Sequence, residues 1–208
     1  MPSDSAASLL YEAWKRGFDF LVAGGLLILF SPLLLLLSAL IRLDSPGHVL
    51  FRQIRVGKEG KSFSFYKFRS MIWDAEARKK DLLDLNEAEA PLFKIEADPR
   101  ITRLGRVLRN TSLDELPQLI NVLKGDLSLV GPRPHLPEEV AGYSEAQMVR
   151  LSVTPGITCQ WQASNRSSTR FDAWIESDLD YIMNRSIGLD LRILCQTVVT
   201  VFSRRNAS

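Results

Sequence analysis

The uncharged run from Phe20 to Ile41, FLVAGGLLILFSPLLLLLSALI, limits what this chain can fold into more than any other stretch. A straight helix of its 22 residues would be roughly 33 Å long at about 1.5 Å per residue, against a bilayer hydrocarbon core of about 30 Å. Such a segment belongs in lipid. A signal peptide is a poor reading, because the run is too long and no small-x-small cleavage site follows it. Two features count against a plain spanning helix. Ser31-Pro32 interrupts the run, and an interior proline removes one backbone hydrogen bond and bends the helix. A serine hydroxyl at that point can occupy the freed carbonyl. Both flanks are also basic, with Lys15 and Arg16 before the run and Arg42, Arg52, Arg55 and Lys58 after it, so positive-inside counting gives no clean orientation. A hairpin entering and leaving on one face satisfies both flanks. Its arms, about 16 and 13 Å long, would reach only mid-bilayer. The residues alone leave the hairpin and the spanning helix both open.

The rest of the chain excludes several functions. At 208 residues, one domain with an appendage is expected. The 26 basic and 24 acidic side chains nearly balance, at net charge +2, which argues against a nucleic-acid partner. Cys159 and Cys195 have no metal-site spacing and form no disulfide framework, which suits a reduced, cytosol-facing domain. With only His48 and His135, and no HExxH, a zinc hydrolase is not supported. A phosphate-binding P-loop around GKS at 60–62 fails, because Arg55 stands where a glycine is required.

Coarse elements follow from pattern. Tyr11, Trp14 and Phe18 suit headgroup depth, with Lys15 and Arg16 as interface cations. VLFRQIRV and SFSFYKF flank GKEG at 57–60 and predict a β-hairpin. Residues 72–90 are helix-prone and highly charged, as expected of a solvated helical face. Leu113, Leu116, Leu119, Ile120 and Leu123 mark one helical stripe, and Ile187, Leu191, Leu194, Val198 and Val201 another, with Arg204 and Arg205 suiting its end. KGDLSLVGPRPHLP, rich in Gly and Pro, predicts largely loop.

The chemistry concentrates in TSLDELPQ. Ser112-x-x-Glu115 matches a capping box, and Asp114 would favour the positive end of a helix. Pro117 would then sit fifth in that helix, where it cannot donate. With Asp114 as N-cap, Pro117 falls third, where no donor is needed, and both carboxylates stand at the helix mouth. Carboxylate oxygens suit Mg²⁺, which usually takes one or two protein carboxylates plus substrate phosphates. Arg109, Arg133 and Arg166 could supply forks for phosphate oxygens. Arg100, Arg103 and Arg106 read more simply as a solvated helical edge or as contacts to anionic headgroups. Together these groups are what pyrophosphate chemistry requires: charge neutralisation and a carboxylate able to attack phosphorus.

KRGFD, the Ser-Pro inside the apolar run, FYKFRSM, TSLDELPQLINVLKGDLSLVGPRP, PGIT with WQ soon after, and a late DL helix resemble the small monotopic phosphoglycosyl transferases, the bacterial sugar transferases. The resemblance runs from about Lys15 to Val201 and is most specific between Arg109 and Pro134. It implies transfer of a phosphosugar from a UDP-sugar to polyprenyl (undecaprenyl) phosphate with release of UMP, starting a membrane glycan. By analogy Asp114 is the nucleophile, forming an aspartyl phosphosugar, and Asp114 and Glu115 hold Mg²⁺. Arg109 and Arg166 match the phosphate-contacting arginines, and Arg133 a position near the nucleotide. Ser31 and Pro32 match the kink of a re-entrant membrane helix. This sequence looks like the minimal catalytic unit, without the N-terminal membrane bundle some relatives carry.

The expected architecture is α/β, mostly helical with a small β-hairpin. It divides into a juxtamembrane segment (1–17), a re-entrant membrane helix (18–43) and one compact cytosolic catalytic domain (44–208), at the cytoplasmic face of a bacterial inner membrane. Two departures from the family pattern, Cys159 after PGIT and Asn165 before Arg166, replace residues free to adopt positive φ. They bear on loop shape and donor preference. Cys159 is expected to be a packed side chain rather than a reactive thiol. A Mg²⁺-dependent membrane phosphohydrolase and a silent membrane-anchored scaffold are the competing readings. Which sugar is moved, and whether the chain pairs as a homodimer, the sequence leaves open.

Overall fold

In a computed structural model the described residues are 6–87, 93, 95, 97–164 and 171–203. The chain opens with α1 (Ala6–Leu29) and α2 (Ser31–Asp44). The hairpin of β1 (Leu50–Val56) and β2 (Ser62–Phe68) follows, then α3 (Arg103–Asn110) and α4 (Gln118–Lys124). Next come β3 (Ser128–Val130), α5 (Pro137–Ala141), α6 (Glu145–Met148), β4 (Gly156–Thr158) and α7 (Gln160–Ser164), and the chain closes on α8 (Phe171–Asn184) and α9 (Ile187–Phe202). The expected mostly helical architecture with a small hairpin is observed.

The apolar run breaks where proline requires it. α1 and α2 meet at a 62° bend. Pro32 cannot donate to the carbonyl of Ile28, and the Ser31 hydroxyl donates to that oxygen at 2.8 Å instead. Among the described residues no single helix is long and apolar enough to cross a membrane, but the bent pair passes that measure together. No break marks residue 17, because α1 runs unbroken from Ala6, so the expected juxtamembrane segment and membrane helix are one element. α1 also has two faces. Ala23 is fully buried in a core with Phe65, Leu119, Val122 and Leu127, whereas Leu21 is 74% and Ile28 77% exposed.

Lys15 and Arg16, the basic residues expected at the headgroups, both make contacts within the fold. Lys15 is buried and pairs with Asp190 of α9 at 2.8 Å. Arg16 donates to the carbonyls of Val122 and Leu123 at 2.6 and 2.8 Å, capping the C-terminal end of α4. A buried ammonium needs a partner, and Asp190 supplies one that no spacing rule connects to Lys15. Asp19 of α1 accepts the Leu129 N–H of β3. α1 is therefore fixed to α4, β3 and α9 by polar contacts as well as packing.

The expected hairpin forms: β1 and β2 pair antiparallel in the register Phe51↔Lys67, Gln53↔Phe65 and Arg55↔Phe63. Partners share a face, so the hairpin packs two ways. Phe65 enters the core with α1 and α4, and Phe68 a second core with Leu37, Ile41 and Leu108 of α2 and α3. Full burial of each ring stabilises by about 1.5–3 kcal/mol. Other expectations hold in part. Residues 77–85 form a 3₁₀ run rather than an α-helical face. The Gly/Pro-rich stretch is largely loop, as expected, but carries the three-residue β3, which pairs in parallel with β4 through Ser128↔Gly156 and Val130↔Thr158. A Cβ on Gly156 would lie 2.1 Å from the Gly131 nitrogen, so that crossing admits only glycine. The stripe at the chain's end does mark a helix, α9; within it Leu191 and Val198 are exposed and Leu194 packs against the core, while Asp190 and Ile193 are buried. Arg204 and Arg205 lie outside the described residues.

Candidate active site

The acids sit in a 3₁₀ turn, Leu113–Glu115, between α3 and α4. Ser112 precedes it in the left-handed conformation at φ 56° and makes no side-chain cap, so the capping box is not formed. Asp114 is not an N-cap either, since α4 starts at Gln118 with Pro117 as its cap. Hydrogen bonds of the i→i−3 kind carry the chain past the proline: Leu116 N–H to Leu113 O, then Leu119 N–H to Leu116 O. Pro117 thus ends the 3₁₀ turn without leaving a needed donor missing. Asn121 of α4 is fully buried and ties the helix to β2, accepting the Tyr66 N–H and donating to Ser64 O at 2.7 Å. The acidic turn is therefore held at a fixed height beside β2.

Lys67 of β2 meets it there. Its ammonium lies 2.8 Å from Glu115 Oε1 and 3.9 Å from Asp114 Oδ2. Asp114 is buried, and burial raises its pKa from 3.8 to about 6; Glu115 pushes the same way, and Lys67 and Arg109 pull it down. Arg109, exposed at the end of α3, donates from Nε to the Ser70 hydroxyl at 2.9 Å. Ser70 lies two residues past the end of β2, so the hairpin positions both cations. α3 can pack so closely because residue 105 is glycine: a Cβ there would stand 1.8 Å from Ser70 O.

Arg133 belongs to a second cluster. Its guanidinium lies over Trp174 at 5.4 Å. The loop carrying it is held by Arg55, which donates to Pro134 O at 3.0 Å, and by Arg150, which donates to Arg133 O. Burial and the nearby Arg133 lower the Arg55 pKa to about 10. Arg150 is itself buried, paired with Asp178 and bonded to Tyr143. The hairpin joins the two clusters. Arg55 and Lys67 lie over the same ring, Phe65, at 5.5 and 5.7 Å. Arg166 and Asn165 lie outside the described residues.

Of the arginines read as a solvated edge, Arg103 and Arg106 agree and Arg100 does not. Arg100 precedes α3 and is buried, gripping Asp98 through two nitrogens with a shortest contact of 2.6 Å. Arg103 and Arg106 are exposed on α3. Cys159 is buried, its thiol pushed up to about 12 by burial, which fits a packed side chain. It is not at positive φ; among the described residues the non-glycine residues there are Glu59 and Ser112. Lys67 and Ser70 were not singled out from the sequence. Both lie in FYKFRSM, so that motif was the available signal.

Among the described residues no group of three or more His, Cys, Asp or Glu could hold a metal. Two adjacent carboxylates still fit Mg²⁺, which fills its other positions with water and substrate phosphate. The Lys67 ammonium already pairs with these acids on the β2 side.

A family model described as bacterial sugar transferase matches residues 10–204. The galactosyl transferase CpsE of Streptococcus agalactiae is 47% identical over 188 residues, covering 90% of this chain and 42% of CpsE. The exopolysaccharide production protein ExoY of Rhizobium meliloti is 38% identical over 197 residues, covering 93% of this chain and 87% of ExoY. The undecaprenyl-phosphate galactose phosphotransferase of Salmonella typhimurium is 41% identical over 201 residues, 93% of this chain and 41% of that protein. The chain thus spans about two fifths of the first and third relatives and most of the second.

Proposed function

Since this chain belongs to the bacterial sugar transferase family, we propose that it moves a phosphosugar from a UDP-sugar to polyprenyl phosphate through an aspartyl intermediate, releasing UMP. The observation that carries the reading is a buried Asp114 carboxylate beside Glu115, faced by Lys67 and within electrostatic reach of Arg109. Neither acid is spent on capping a helix start, which favours a reactive pair over a scaffold's helix cap.

A pKa near 6 leaves Asp114 ionised at pH 7 yet poorly solvated, which suits a nucleophile. One carboxylate oxygen attacks the sugar-bearing phosphorus. The bond from that phosphorus to the bridging oxygen breaks, and its electron pair leaves with UMP. Lys67 and Arg109 offset the charge on the phosphoryl oxygens. A phosphate oxygen of the polyprenyl phosphate then attacks the same phosphorus, the bond to Asp114 breaks, and the carboxylate is restored. The product is a polyprenyl diphosphate sugar. Asp114 and Glu115 would hold Mg²⁺, which when bound neutralises the charge of the donor diphosphate. The second cluster, with Arg133 over Trp174, suits the nucleotide end of the donor. The bent α1–α2 pair suits a re-entrant anchor at the cytoplasmic face of the inner membrane, where the acceptor phosphate lies.

The test is nucleotide release. Purified protein in nanodiscs receives Mg²⁺, a panel of UDP-sugars, and undecaprenyl phosphate added or omitted, with Asp114→Asn in parallel. Multiple-turnover UMP that needs both the lipid and Asp114 supports the reading. Release of UDP overturns it, and multiple-turnover UMP without the lipid would mean a phosphohydrolase.

A further inference from the structure

A groove of about 670 Å³ opens where α2 ends and β1 begins. Its size falls within the roughly 300–1,000 Å³ of small-molecule sites. Val49, Leu50, Phe51 and Trp73 give it an apolar wall, and Arg52 and Arg69 its charge; no acidic side chain lines it. The Arg69 cation is built in. Its Nη2 donates to Ser45 O at 2.6 Å, Ser45 Oγ at 3.0 Å and Ile41 O at 3.3 Å, while its Nε is buried and has no partner. Trp73 is 72% exposed, a large aromatic face left uncovered at the end of an apolar helix, the depth that aromatic side chains prefer at a bilayer surface.

Both walls continue into the site. Phe51 is the cross-strand partner of Lys67, which holds Glu115. Arg69 is followed by Ser70, which receives Arg109. A ligand seated here would have its charged end beside the hairpin that carries the reacting cluster and its apolar part against the groove wall, level with the end of α2.

The geometry points to this groove as the seat of the lipid acceptor. The first isoprene units lie against Trp73, Val49 and Phe51, and the phosphate monoester is held by Arg52 and Arg69. The inference rests on the transferase reading above. A bilayer phospholipid shares an anionic head and an apolar tail, but a single branched chain with a terminal phosphate matches one narrow wall and two guanidinium groups.

Arg52→Gln and Trp73→Ser alter exposed side chains, so the fold is kept, and circular dichroism checks that it is. In nanodiscs, each is expected to raise the KM for undecaprenyl phosphate at least tenfold, and the KM for the UDP-sugar does not follow. A diazirine-bearing polyprenyl phosphate is expected to label the peptide containing residues 47–52 or Trp73. Undecaprenyl phosphate should suppress that labelling and phosphatidylglycerol should not. An unchanged acceptor KM, or equal suppression by phosphatidylglycerol, overturns the assignment. Exchange of labelled UMP into the UDP-sugar needs no acceptor and separates the two readings. If wild-type protein shows no exchange, the transferase reading falls and this one with it. If exchange is present and the acceptor KM is unmoved, the groove alone is wrong.

Discussion

Replacing Asp114 by Asn separates what this side chain costs the fold from what it does at the site. Burial lifts its pKa from 3.8 to about 6. At about 1.4 kcal/mol per pH unit, holding it ionised costs the native state about 3 kcal/mol. Because the folded value lies above the unfolded one, the native state binds more protons between the two, and stability falls as pH rises through that window. The penalty is absent below pH 3.8, partial at pH 5 and complete above about 6. Without metal at pH 8, Asp114→Asn should therefore be the more stable protein, by about 2–3 kcal/mol. For a chain this long that is roughly 4–12 °C in thermal midpoint. At pH 5 the gap should narrow by about 1 kcal/mol. Transfer should fall at least about a thousandfold, as when a covalent nucleophile is removed. The assay is thermal unfolding in EDTA at both pH values, beside the UMP measurement. A variant no more stable than wild type at pH 8, or a gap that does not narrow on acidification, would refute the claim that Asp114 is a strained buried charge.

Other expectations are simpler to state. Gly105→Ala drives a Cβ into Ser70 O, so α3 must shift; stability should drop by about 1–3 kcal/mol, and activity with it, since Arg109 loses its hold on Ser70. Arg150→Met strands the buried Asp178 carboxylate and should lower stability by about 3–5 kcal/mol in urea unfolding. In a Cys195→Ser background, cysteines placed at residues 3 and 206 should react with an impermeant thiol reagent only after the membrane is opened. Labelling of residue 3 alone in intact cells would rule out the re-entrant hairpin. Ser31→Leu combined with Pro32→Leu restores the missing donor and should straighten the bend, making residue 3 accessible from outside.

What the sequence made legible was local. Two strand-like stretches around a Gly-Lys-Glu-Gly loop gave the hairpin, and Ser-Pro in an apolar run gave the bend with its serine bond to Ile28. The acid pair drew notice from its neighbours, but its geometry did not follow. Nothing in the side chain of Ser112 announces a left-handed residue, and without that the turn reads as an ordinary helix start. Lys67 reaches Glu115 across 48 positions and Lys15 reaches Asp190 across 175, separations that no periodicity encodes. β3 and β4 are three residues each, too short for an alternating pattern to emerge from a Gly/Pro-rich stretch. The α9 stripe marked the helix but not its buried face, because apolar periodicity marks the core only when water lies on the other side. In a protein that meets lipid the apolar face can be the outer one, while the inner face carries Asp190 and its partners.

Arg16 fastens α1 to the end of α4, and α4 carries the acidic turn at its start. For a helix seated in lipid this makes a depth gauge. On the proposed reading the nucleophile would not ride on a tethered domain that bobs above the bilayer; it would stand two short linkages from the element that sets the protein's draught. A long acceptor lipid can then drift laterally and still find the reacting carboxylate at one constant elevation, and a loosened Arg16 would blur that elevation without touching a single reacting group.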